Sequence, residues 1–95
     1  MNKEFLEKLK NFFKSKPVIK AYLFGSIVRN ESNEHSDVDI LVELDYSQPI
    51  GLGFVKMHLE LEELLNKKVD LLTSKSVSKY ILPFIEKEKV LVYEK

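Results

Sequence analysis

The stretch that constrains this chain most runs from Leu23 to Glu43: an apolar segment ending in Gly25-Ser26, ten residues, then Asp37-Val38-Asp39 opening a second apolar segment. Successive side chains of a strand point to opposite faces. Asp37 and Asp39 therefore share one face, with carboxylates roughly 6 to 7 Å apart, and Val38, Ile40 and Val42 take the other. Two like charges held that close call for a compensating cation, and hard oxygen ligands select Mg²⁺ or Mn²⁺, so the pair reads as metal ligands. The Gly-Ser turn reads as the other half of a phosphate site. Gly25 lets backbone approach a ligand closely, and Ser26 is expected at the start of a short helix whose free N–H groups attract an anion.

Ninety-five residues, 44% hydrophobic and 32% charged, predict one ordinary domain spanning 1–95 with a single modest core. No apolar run approaches the roughly 20 residues that span a bilayer, and no apolar signal segment follows Met1-Asn2-Lys3-Glu4. The expected location is the cytoplasm, with no membrane partner. The absence of cysteine agrees with this and excludes disulfides and thiolate zinc sites. Net charge is zero but uneven: residues 1–20 carry six lysines against two glutamates, whereas 31–63 carry one lysine against nine acidic residues. An acidic middle favours a cation and disfavours an extended polyanion, which makes nucleic acid a poor substrate.

In chain order, Phe5, Leu6, Leu9, Phe12 and Phe13 recur at helical spacing and predict an amphipathic helix over 2–14, closed by Lys16-Pro17. Val18 to Phe24 reads as a strand, Ser26 to Arg29 as one or two helical turns, and 30–36 as a polar connection. Asp37 to Leu44 is the second strand, and 45–51, with Pro49 and Gly51, is a loop. Phe54, Met57, Leu61, Leu64 and Leu65 predict a long helix over 52–66 ending at Asn66. Val69 to Thr73 is a third strand reached by that crossover. Ser74 or Ser76 is the expected cap of a last helix running to 85–87, interrupted or begun near Pro83, and Val90 to Tyr93 is an edge strand. The fold class is α/β (α+β), a small mixed sheet flanked by helices. His35 reads as a surface loop residue and His58 as a helix boundary residue.

Gly25-Ser26, the ten-residue interval and Asp37-Val38-Asp39 resemble the signature of the nucleotidyltransferase superfamily that includes DNA polymerase beta. With Arg29 three residues beyond Ser26, the short form is most similar to the minimal nucleotidyltransferases, the MNT proteins. The family carries a third carboxylate on a later strand, which Asp70 in Lys68-Val69-Asp70-Leu71 matches, and commonly has glycine where this chain has Asn30. The resemblance implies a polymerase beta-like fold with Asp37, Asp39 and Asp70 as catalytic residues and ligands of two Mg²⁺ ions. Gly25, Ser26 and Arg29 would hold the triphosphate of ATP. It further implies an antitoxin that adds AMP to a tyrosine of a HEPN ribonuclease toxin, as an oligomer of its own or a hetero-oligomer with the toxin. A chain this short leaves little for gripping an acceptor, which places recognition on a separate polypeptide. The rivals are a non-catalytic module that neutralises the toxin by binding, and a small-molecule or tRNA nucleotidyltransferase lacking its second domain.

Overall fold

The computed structural model describes residues 2–33 and 35–95. Helix α1 covers Lys3–Phe13, and the Asn2 side chain caps it by accepting from the Glu4 backbone N–H at 2.7 Å. Strand β1 follows over Val18–Phe24, then a 3-10 turn over Gly25–Ile27, then β2 over Val38–Leu44. Helix α2 spans Gly53–Leu65, β3 Val69–Thr73, α3 Leu82–Glu88 and β4 Val90–Glu94. The sheet order is β3-β2-β1-β4. Strand β1 is antiparallel to β2 and β4, whereas β2 and β3 are parallel and joined by α2, so the sheet is mixed as expected.

The two faces of this sheet are unequal. Val38, Ile40 and Val42 of β2, with Leu23 of β1 and Val69 and Leu71 of β3, meet Leu9 and Phe13 of α1 and Met57 and Leu61 of α2 in the main core. On the opposite face Tyr22, Leu41 and Ile85 form a smaller cluster under α3. The alternation of the strands therefore assigns Asp39 and Asp70 to the thin face, because each stands between residues committed to the thick one.

Three expectations need correction. The segment after β1 is a 3-10 turn of three residues begun by Gly25; Phe24 precedes it and no side chain caps it, so Ser26 lies inside the turn rather than at a helix start. Strand β2 begins at Val38, leaving Asp37 just ahead of it. The last helix begins at Leu82, not after Ser74 or Ser76. Proline lacks an N–H and fixes φ, which suits the first turn of a helix and no later position, so Pro83 sets the start. The residues before it form turns in which the Ser78 carbonyl accepts from the Ile81 and Leu82 N–H groups at 3.0 and 2.9 Å. Asn66 does end α2, in the left-handed conformation with φ 52°.

Candidate active site

Parallel pairing puts Asp39 and Asp70 directly opposite each other, and antiparallel pairing puts Phe24 opposite Asp39, so the Gly-Ser turn comes off β1 beside the two carboxylates. Gly25 is required there twice over. Its φ is 79°, a conformation L side chains rarely adopt, and a Cβ at this position would collide with the Asp39 carboxylate. Asp39 is half-buried and its carboxyl is pushed up to about 6, first by burial, then by a hydrogen bond with Asp70, then by the negative charges of Asp70 and Asp37; Arg29 opposes these. Asp37 is half-buried and Asp70 is exposed on the edge strand.

Strand β3 is held in place from α2. The His58 ring Nε2 lies 2.6 Å from the Val69 carbonyl oxygen, and the Val69 N–H donates to the Glu62 carboxylate at 2.9 Å. These contacts fix the residue just before Asp70. His58 is thus a bridge between elements, and neither its role nor that of Glu62 shows in the residue pattern, since both lie on one turn of an unremarkable helix face. His35 is exposed, as expected of a loop residue.

Arg29 emerges from the turn and donates to two carboxylates: its Nε to Glu31 Oε1 at 2.9 Å, its Nη1 to Glu88 Oε2 at 2.8 Å and to Glu88 Oε1 at 3.0 Å. Glu88 Oε1 also accepts the Gly25 backbone N–H at 2.8 Å. The Arg29 hydrogen bond, followed by the Gly25 N–H, holds the Glu88 carboxyl below the usual range. Sequence reading gave no hint of Glu88, which sits 63 residues from Gly25 in a run of alternating Lys and Glu. Asn30, next to Arg29, has φ 59°, and asparagine tolerates this left-handed conformation best after glycine.

Among the described residues no three His, Asp or Glu side chains already converge as a closed metal cage; the acidic groups come as the Asp39–Asp70 pair with Asp37 alongside. A cavity of about 510 Å³ opens on the other side of Asp37, bounded by Asn2 and Phe5 of the α1 end, by Ile27 and Asn33, and by Leu64 near the end of α2. It touches neither Asp39 nor Asp70.

The family model described as Polymerase beta, Nucleotidyltransferase matches residues 7–95. A Methanocaldococcus jannaschii protein provisionally named protein adenylyltransferase MJ1379 is 40% identical over 93 residues, covering 95% of this chain and 93% of that protein. Protein adenylyltransferase MntA of Thermococcus cleftensis is 41% identical over 70 residues, covering 74% of this chain and 70% of its own length. Among solved structures, a toxin-antitoxin crystal structure with AMP-PNP superposes with a TM-score of 0.79 at 20% identity, covering 95% of this chain and 73% of that one. The MntA-HepT toxin-antitoxin structure superposes with a TM-score of 0.72 at 18% identity, covering 99% of this chain and 74% of that one. The structural likeness establishes a shared fold.

Proposed function

The chain belongs to the polymerase beta nucleotidyltransferase family, and from that premise we propose that it transfers AMP from ATP to a tyrosine hydroxyl of a toxin partner of the HEPN class. The observation that carries the reading is the Asp39–Asp70 pair set beside the Gly25 turn. One half-buried carboxylate, crowded by two others, is an electrostatic arrangement that a fold keeps at a cost to its own stability. The names of the curated relatives support AMP as the transferred group, and the toxin-antitoxin structures of the same fold support a protein acceptor.

The residues present fit the divalent metal that the family implies. The Asp39–Asp70 pair, with Asp37 alongside, offers hard anionic oxygen donors, and the proton that Asp39 retains up to about pH 6 is a charge that a cation would replace. Asp37, Asp39 and Asp70 would hold it, with Mg²⁺ as the proposed ion. When bound it supplies Lewis-acid stabilisation of charge on the reacting phosphate. The chain's own groups do the rest. The Gly25 N–H and the Arg29 guanidinium are donors aimed at one anion seat, and they suit the triphosphate, for which we also propose Ser26, the next residue of the same turn. Asp70, exposed on an edge strand, is accessible to an acceptor hydroxyl and suited to take its proton. No helix among the described residues is long and apolar enough to cross a membrane, and we place the reaction in the cytoplasm, where ATP is supplied.

The test uses the purified protein, its partner, ATP and Mg²⁺. Substoichiometric amounts should inactivate an excess of partner, with each modified molecule heavier by one AMP residue by mass spectrometry. An unmodified partner, inactive only in an equimolar complex, would instead favour neutralisation by binding. That second reading has one observation behind it: Leu52, Val55 and Leu59 are exposed along one side of α2, as an interface residue set would be.

A further inference from the structure

The Gly25 N–H and the Arg29 guanidinium already have an occupant, the Glu88 carboxylate. Its Oε1 takes both the backbone N–H at 2.8 Å and Arg29 Nη1 at 3.0 Å, and its Oε2 takes Nη1 at 2.8 Å. Two oxygens of one anion thus satisfy a main-chain donor at a left-handed glycine and a guanidinium one turn later, which is how a phosphate is gripped. Glu88 is the last residue of α3, its side chain is 26% exposed, and it packs in neither apolar cluster.

We infer that Glu88 is a resident competitor for the triphosphate, a carboxylate that fills the anion seat of the free protein and is displaced when nucleotide binds. The inference rests on the nucleotide-binding reading and adds the group that sets the affinity. A polyphosphate brings several negative charges and more acceptor oxygens than one carboxylate, so it outcompetes Glu88, whereas a ligand with a single phosphate gains little over the group it displaces. Return of Glu88 to the seat would then oppose retention of the pyrophosphate product.

The experiment is titration calorimetry of the whole chain with ATP and Mg²⁺, comparing wild type, Glu88→Gln, Arg29→Ala and the double variant. Glu88→Gln keeps the shape and removes the charge, and should bind ATP about threefold tighter or more, the size expected for loss of one competing pair between half-exposed groups. Inorganic tripolyphosphate should show the same gain and adenosine none. The gain should vanish in the Arg29→Ala background. Equal or weaker binding by Glu88→Gln overturns the inference and makes Glu88 a mere orienter of Arg29. Wild type that binds ATP while the Gly25 amide resonance keeps its unliganded position at saturation also overturns it, without relying on any variant. If neither wild type nor the Glu88 variants bind ATP at all, the nucleotide reading itself falls.

Discussion

Strand β2 carries an aspartate at each end, and the two could hardly be treated more differently. Asp45, one residue past the strand, is buried, and its carboxylate accepts from the Ser47 N–H at 3.1 Å, the Ser47 hydroxyl at 2.5 Å, the Gln48 side chain at 2.9 Å and Lys95 Nζ at 3.1 Å. The Ser47, Gln48 and Lys95 hydrogen bonds hold its carboxyl well below the usual range. Asp39, near the other end, has the Asp70 carboxyl for a neighbour and is pushed up to about 6. A carboxylate that serves the fold is given its donors by the fold. One that serves a ligand is left short of them.

Exchange at the underserved end should produce the largest effect. Asp39→Asn should lower nucleotide transfer at least about a hundredfold, the scale on which losing one preorganised electrostatic group in an active site is felt. Without metal the same variant should be more stable than wild type, and the pH dependence gives the sign. The folded-state value of Asp39 lies above the unfolded one near 3.9, so its contribution is intact below about pH 4 and is lost as pH rises through 6. Thermal melts with chelator, at pH values from 4 to 7.5, should therefore show the variant drawing ahead as pH rises. Equal melting curves across that range would erase the contrast between the two ends.

Gly25→Ala attacks the same end through the backbone. An alanine at φ 79° is strained, and its methyl group would meet the Asp39 carboxylate, so urea unfolding should report a loss of about 1–3 kcal/mol. A cost near zero would mean that the turn and β2 can separate freely.

At the well-served end the pH dependence reverses. Asp45→Asn should lower the melting temperature at neutral pH, and the gap should close as pH falls below about 4. A depressed folded-state value contributes stability above the unfolded one and loses it on acidification. Transfer activity should change little, since Asp45 touches nothing at the site. Between the two lies Glu43, which accepts one hydrogen bond, from the Tyr22 hydroxyl at 3.0 Å. Tyr22→Phe should cost only about 0.5–1.5 kcal/mol by chemical denaturation. Burial and the Glu43 bond push the Tyr22 phenol up to about 12, so the phenol keeps its proton across the whole range of those melts.

The same contrast explains what could be read from the residues alone. The four strands and the crossover helix follow from local alternation and spacing, which the tertiary structure had no reason to override, whereas Asp70 was singled out only through the family resemblance. The end of α2 at Asn66 was legible for a related reason, since asparagine stands where the backbone must turn left-handed. The Glu88 contact and the four donors around Asp45 were not. The Glu88 contact and the Lys95–Asp45 pair join residues far apart in the chain, and a glutamate among lysines carries no mark of the arginine it will meet. The start of α3 was misplaced because Ser74 and Ser76 offer caps, and Pro83 overrules them.

The pairing of β4 with β1 has a kinetic consequence. It brings together residues about 70 positions apart, whereas β1 and β2 pair across a far shorter loop. Closing the longer loop costs more chain entropy before any contact repays it, so β4 should dock after the β1–β2 hairpin has formed. Glu88 travels with α3 and β4, and the Gly25 turn belongs to the hairpin. During refolding, the Gly25 turn and Arg29 should therefore be assembled before Glu88 arrives. Polyphosphate present at that stage meets a vacant seat, and should speed the capture of early native-like chains more than it stabilises finished ones.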